Sequence, residues 1–162
     1  MYAKLVNNLD ALGFTDITTY LPEYLNKAVK EGTSVQDALI HLTDREILKR
    51  DERAAQVQVS VSHFPYIKTA DEYDYSFQPN VNKAEIDDLC SLRFIENKEN
   101  VLFYGTPGTG KTHLAVSIGI EAAKKRNLVY FITCRDLIQT LKKAHDENRL
   151  EQRLKHFCKH KL

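Results

Sequence analysis

The sequence predicts an α/β protein, in which an N-terminal helical module precedes the first β-α-β-α part of a parallel sheet. Two observations carry this prediction. Apolar residues keep helical spacing over about the first 65 positions, and two short apolar runs, 101–104 and 129–132, are each followed by a stretch of helical period. Strands that alternate with helices in this order favour parallel pairing.

The N-terminal part is predicted to contain three helices. In the second helix Thr19 is the expected cap, Pro22 falls in the first turn, and Gly32 ends the helix. The third helix opens at Ser34, which stands three residues before an aspartate in a variant of the capping box. It is expected to continue to about Pro65, although alternating valines near its end would also suit a strand.

Residues 66–82 are predicted to form a linker between two modules, because proline, asparagine and acidic residues are frequent there. Three aromatic residues, Tyr73, Tyr75 and Phe77, suggest that this linker is held against a surface. The expected organisation is therefore a helical module at 1–65, the linker at 66–82 and a second domain at 83–162.

The segment after the first apolar run fits the phosphate-binding loop pattern G-x-x-x-x-G-K-[ST] at every position. Glycines let the backbone N–H groups approach phosphate oxygens, and the following helix presents its positive end to the anion. A kinase glycine loop fits poorly, because the lysine lies inside this loop. The residues expected to bind the nucleotide are Gly105, Thr106, Pro107, Gly108, Thr109, Gly110, Lys111, Thr112 and His113.

Two of these residues have specific expected roles. The ammonium of Lys111 should reach the β- and γ-phosphates and stabilise charge there, which makes it the predicted catalytic residue. The hydroxyl of Thr112 should ligate Mg²⁺.

Charge is unevenly distributed along the chain. Residues 69–100 carry eight acidic and three basic side chains, whereas residues 111–162 carry five acidic and twelve basic ones. A basic C-terminal segment favours contact with nucleic acid. The alternative is a solvated surface, because several of these cations fall near the ends of predicted helices.

Three widely spaced cysteines, Cys90, Cys134 and Cys158, argue against a disulfide scaffold and indicate a reducing compartment. Three possible metal ligands lie within 156–160, but no second cluster has the spacing of a zinc site. No stretch resembles a signal peptide or has the length needed to span a membrane. The protein is therefore expected to be cytoplasmic.

The segments on both sides of the loop make the chain resemble the IstB-like family, ATP-binding helpers of insertion-sequence transposition. These proteins are similar to DnaC-type helicase loaders of the AAA+ class. The residues that carry the resemblance are 73–79, 93–101, the loop with its continuation to Ala115, 133–137 and 148–150.

The resemblance implies a P-loop ATPase with ATP and Mg²⁺ as cofactors. It also implies contact with DNA without sequence preference, action together with a transposase, and self-assembly of the full-length protein. The N-terminal helices would contact DNA or the transposase. No membrane association is implied.

One element of the family pattern is missing from the sequence. The resemblance implies an apolar strand that ends in an acidic Walker B pair, and the chain stops before it. Asp87 and Asp88 follow no apolar strand, and Asp136 is better explained as a helix cap. The chain is therefore expected to be a shortened form that binds the nucleotide but does not hydrolyse it. In this class the two strands are not neighbours, so both would lack partners.

Two alternatives remain. A replicative helicase loader has the same ATPase parts. Such loaders typically carry a distinct N-terminal module that binds the helicase and often holds a metal, whereas residues 1–65 hold no cysteine cluster that could bind one. The other alternative is a non-catalytic fragment whose helices bind DNA or a partner while the loop is inert.

Overall fold

The computed structural model describes residues 2–76 and 78–162, so Phe77 and its expected role in the linker lie outside the described residues. The described residues form eight α-helices and one 3₁₀ turn. These are α1 Tyr2–Ala11, α2 Thr15–Glu31, α3 Val35–Val61, the 3₁₀ turn Ala70–Glu72, α4 Lys83–Ser91, α5 Arg93–Glu96, α6 Lys111–Lys124, α7 Cys134–Asp146 and α8 Leu150–Phe157. None of these helices combines the length and the apolar character needed to cross a bilayer.

The predicted α/β class is wrong. None of the described residues forms a strand, so the N-terminal helices are followed by further helices and not by the βαβα part of a parallel sheet. Segment 101–104 keeps a strand-like alternation, because Phe103 packs inward while Leu102 and Tyr104 are 90% and 98% exposed. Within the described residues, however, no backbone hydrogen bond joins it to segment 129–132.

The second predicted strand takes its hydrogen-bond partners from elsewhere. Tyr130 donates its N–H to the carbonyl of Leu162 over 3.0 Å, and Phe131 donates to the carbonyl of Ser62 over 2.8 Å. A strand exists only as part of a ladder with another strand, because its backbone groups must be paired. Within the described residues the two apolar runs exchange no backbone hydrogen bond, so they remain irregular whatever their side-chain pattern.

The predictions for individual helices have mixed outcomes. The third helix includes the alternating valines and ends at Val61, four residues before the expected end at Pro65. Asn82 caps α4 by accepting the N–H of Ala84. Asp136 is not the cap of α7. Thr133 is, because its hydroxyl accepts the N–H of Asp136 over 3.1 Å.

The described chain divides into two compact units between Arg53 and Ala54, within α3. The domain boundaries predicted after residues 65 and 82 stay a prediction. The core of the first unit is formed by α2 and α3, with Ile17, Leu21, Tyr24 and Leu42 buried.

Helix α2 begins at Thr15, so the prediction that Thr19 caps it is wrong. The cap comes from α3. The carboxylate of Glu46, 1% exposed, accepts the N–H groups of Asp16 and Ile17 over 3.1 and 3.2 Å. Because this cap comes from another helix, α2 starts one turn early, and Pro22 lies in its interior.

Two arginines of α3 neutralise the buried carboxylate of Glu46. Arg50 Nε lies 3.0 Å from one carboxylate oxygen and Arg53 Nη2 lies 3.5 Å from the same oxygen. The same two side chains reach the start of α2, since Arg50 donates to the carbonyl of Gly13 over 2.8 Å and Arg53 pairs with Asp16 over 2.6 Å. A buried charge is tolerated only when it is paired and hydrogen-bonded in this way.

The second unit is built around α6. Its buried residues are Leu114, Val116, Ser117, Ile118, Gly119, Ile120, Ala122 and Ala123. A Cβ placed at Gly119 would come within 2.8 Å of the Phe64 ring, so a glycine there permits close packing. Helix α4 packs against α6, and α7 packs against α8.

We expect Glu46→Ala to lower the free energy of unfolding by about 2–4 kcal/mol, because it removes the α2 cap and leaves two arginines without their buried partner. Glu52→Ala is the control, since Glu52 lies on the same helix and only pairs with Lys49 at the surface. It should cost less than about 1 kcal/mol. Urea unfolding followed by circular dichroism gives both values, and equal losses would contradict the capping role of Glu46.

Candidate functional site

The glycine-rich loop connects segment 101–104 to α6, which begins at Lys111. Gly108 and Gly110 have φ of 85° and 80°, a left-handed conformation that residues with a side chain adopt only at a cost. The motif requires the glycine at position 110, and the chain has a further glycine at position 108, where the motif allows any residue. The first N–H groups of α6 are free of helical partners here, so the loop ends at the positive end of a helix dipole.

The carbonyl of Thr106 is the main acceptor inside the loop. Lys111 Nζ donates to it over 2.6 Å, and the hydroxyl of Thr109 donates to it over 2.9 Å. The lysine that the motif assigns to phosphate is thus folded back onto the loop. Its ammonium therefore lies beside the carbonyl of Thr106, in the loop that precedes α6.

The other predicted residues differ in exposure. Gly105, Thr106, Pro107 and Gly108 are exposed, as is Thr112, whereas Thr109 and Gly110 are half-buried. The structure brings these residues together as one continuous turn. Their assignment to a nucleotide stays a prediction.

His113 is turned away from the loop and toward the preceding segment. Its Nε2 lies 2.9 Å from the carbonyl of Thr69, and its ring meets the ring of Tyr73 edge to face, with centroids 5.5 Å apart. Its backbone remains in the first turn of α6. Any contact of His113 with phosphate would therefore come from its backbone N–H group and not from its imidazole ring.

Tyr73 contacts the loop, although it lies outside the phosphate-loop motif. Its hydroxyl donates to the carbonyl of Thr109 over 2.8 Å, and a Cβ at Gly110 would overlap its ring. The sequence contained one indication of this contact, because the aromatic residues of the linker were expected to hold it against a surface. It gave no indication that the loop is the anchor point.

A second feature of this unit is an open groove of about 810 Å³ between α7 and α8. Five of its lining residues are cationic at neutral pH: Lys143, Arg149, Arg153, Lys155 and Lys159. His156 also lines it, and the pKa of His156 is lowered by desolvation and then by the nearby charge of Arg153. The groove is therefore a concentrated positive surface with one acidic residue, Glu147, at its wall.

Comparison with known proteins identifies the family. The model of the IstB-like ATP binding protein family matches residues 7–162. The chain belongs to this family.

Three relatives carry matching names. A Bacillus thuringiensis subsp. berliner protein, named as an ATP-binding protein of insertion sequence IS232, is 46% identical over 161 residues, which is 99% of this chain and 64% of the relative. A Geobacillus stearothermophilus protein of IS5376 is 44% identical, with 82% of this chain and 53% of the relative covered. A Pseudomonas aeruginosa protein of IS21 is 33% identical, with 90% and 55% covered.

The chain spans less than two thirds of the length of these three IstB-like relatives. The matched part includes the whole glycine-rich loop, since the family model extends over it. Family membership therefore applies to the candidate site, and the activity of the complete relatives is a separate question.

We expect Gly110→Ala to destabilise the protein more than Gly108→Ala. Both add a Cβ at a positive φ, at a cost of about 1–2 kcal/mol. At Gly108 the added carbon meets nothing within 4 Å, whereas at Gly110 it meets the buried Tyr73 ring. Overpacking should add about 1–3 kcal/mol, measurable by urea unfolding. Equal losses would mean that the ring moves aside freely.

Proposed function

We propose that this chain binds ATP together with Mg²⁺ through residues 105–113. The observation that carries the proposal is the loop itself, which has the complete motif, two left-handed glycines and Lys111 at the start of a buried helix. Membership of the IstB-like family supports ATP as the nucleotide.

The chain supplies three groups that suit a triphosphate. Backbone N–H groups of the loop donate to the phosphate oxygens, and the α6 dipole favours their negative charge. Lys111 leaves the carbonyl of Thr106 and places its ammonium on the β- and γ-phosphates, where it stabilises charge that develops in any phosphoryl transfer.

The residues also fit Mg²⁺, which would neutralise phosphate charge when bound. Mg²⁺ takes oxygen ligands and keeps several waters, so it needs few protein groups beside the phosphates. Thr112 would hold it, because its hydroxyl is an exposed oxygen ligand directly after Lys111. We expect nucleotide binding to require no further protein ligand for the metal.

We further propose that the protein acts in insertion-sequence transposition, with a transposase as partner and with self-assembly of the full-length form. The relatives named for insertion sequences support this context. In this proposal residues 1–65 contact DNA or the transposase, 66–82 link the modules and 83–162 bind the nucleotide. The cytoplasm is the proposed location.

Non-specific DNA binding is the second part of the proposal, and the groove between α7 and α8 supports it. Lys143 lies on α7, Arg153 and Lys155 lie on α8, and the other two cations flank α8. Phosphate backbones are held by such surfaces without base contacts. Displacement of counterions would make this binding dependent on salt.

We expect Lys111→Ala to weaken binding of a fluorescent ATP analogue by about 10- to 100-fold in the presence of Mg²⁺, because a charge-assisted hydrogen bond is lost. Lys124→Ala is the control, since it removes an equal charge from the other end of α6. Phosphate release in the same samples tests the expectation that this chain does not hydrolyse ATP. Unchanged affinity in Lys111→Ala, or no binding by the unmodified protein, would refute the ATP site.

We expect the triple variant Lys143→Ala, Lys155→Ala, Lys159→Ala to weaken binding of duplex DNA and to flatten its salt dependence. Each lost phosphate contact should reduce the slope of log K against log salt by about 0.9. The control replaces three exposed lysines outside the groove, Lys68, Lys98 and Lys124, by alanine. Fluorescence anisotropy at several salt concentrations gives the slopes, and the groove is not the DNA surface if both triples behave alike.

A further inference from the structure

The segment before the candidate loop is attached to it by a buried tyrosine. Tyr73 directly follows the 3₁₀ turn, is 8% exposed and packs with Ile86 and Leu114 in one apolar cluster. Its hydroxyl emerges from this cluster and donates to the carbonyl of Thr109 over 2.8 Å. A residue outside the motif therefore holds one peptide group of the loop.

This hydrogen bond fixes the orientation of the peptide between Thr109 and Gly110. The described residues contain no cis peptide bond, so the C=O and N–H of this peptide point in opposite directions. With the carbonyl held on Tyr73, the N–H of Gly110 points away from it. In a phosphate-binding loop the backbone N–H groups are the donors that face the anion.

The ring of Tyr73 restricts the same peptide. It occupies the space that a Cβ of residue 110 would need, so it lies directly against the backbone of Gly110. His113 meets the ring edge to face and is itself held by the carbonyl of Thr69. The ring therefore has contacts with Gly110 and with His113, which limit its movement relative to the loop.

We propose that Tyr73 is a positioning residue for the nucleotide: it holds the Thr109–Gly110 peptide so that the N–H of Gly110 is directed to phosphate. The inference rests on the proposed ATP site and adds a residue that the phosphate-loop motif does not contain. A loop that is ordered in advance loses less conformational entropy on binding, so affinity depends on Tyr73 without direct contact.

Tyr75 provides a matched control in the same cluster. Its ring meets that of Tyr73 edge to face at 4.9 Å, but its hydroxyl is buried and has no hydrogen-bond partner among the described residues. Burial, followed by the charge of Asp87, raises the pKa of Tyr75, so this hydroxyl stays protonated. Tyr73→Phe and Tyr75→Phe thus remove the same atom from neighbouring rings, and only the first loses a bond to the loop.

The test compares the two variants with the unmodified protein in two measurements. Titration with a fluorescent ATP analogue and Mg²⁺ gives affinity, and amide hydrogen exchange without nucleotide reports the order of residues 105–110. We expect Tyr73→Phe to bind about five- to tenfold more weakly and to exchange faster in the loop alone. Tyr75→Phe should stay within about twofold in affinity, with unchanged loop exchange.

Unchanged affinity and exchange in Tyr73→Phe would overturn the proposal, as would equal losses in both variants, which indicate only a role in packing. Failure of the ATP site has a different signature, because the unmodified protein would then not bind or would bind as Lys111→Ala does. Loop exchange is measured without nucleotide, so it still decides whether Tyr73 holds the loop.

Discussion

The burial of α6 is the constraint on which the second unit depends. A helix with eight buried residues between Leu114 and Ala123 must pack on several elements at once, and α4, the 3₁₀ turn and Phe64 all contact it. Its packing sets the position of its first turn, where the free N–H groups of a helix can face a ligand. The end of the loop is restricted as well, because its last glycine, Gly110, lies between the start of α6 and the ring of Tyr73. Hydrophobic packing thus places the helix at which the candidate site is built, and the hydrogen bond from Tyr73 to Thr109 then holds the loop before it.

The candidate loop could be predicted from sequence because its chemistry is local. Gly105, Gly110 and Lys111 stand at the fixed spacing of the phosphate-loop motif, and that spacing is visible in the chain. The helices were predictable for the same reason, since periodicity and caps such as Asn82 are encoded within a few residues. The sheet was not. An apolar alternation reports which side chains can be buried, whereas a strand also needs a partner for its backbone, and segment 101–104 has none among the described residues.

Long-range contacts explain the other errors. The start of α2 depends on Glu46, about thirty residues away, so a search for local caps placed it at Thr19. Tyr73 acts on Thr109 across a comparable distance. In both cases one side chain satisfies a backbone group of a distant element, and such pairs are invisible in one sequence. Each of these two residues also connects two elements that are predicted separately from helical periodicity. Glu46 ties α2 to α3, and Tyr73 ties the segment before α4 to the end of the loop.

In the proposed nucleotide site, the hydrogen bond from Lys111 to the carbonyl of Thr106 would make binding an exchange of partners. An incoming anion must compete with an amide oxygen that already holds the ammonium at close range, so only the difference between the two interactions adds to affinity. A singly charged anion gains little from such an exchange, because the carbonyl is already a good acceptor. A polyphosphate gains more, since several of its oxygens engage the loop while the lysine changes partner. In the proposed site, a ligand whose several phosphate oxygens engage the loop would therefore offset the loss of the Thr106 carbonyl better than an anion that engages Lys111 alone.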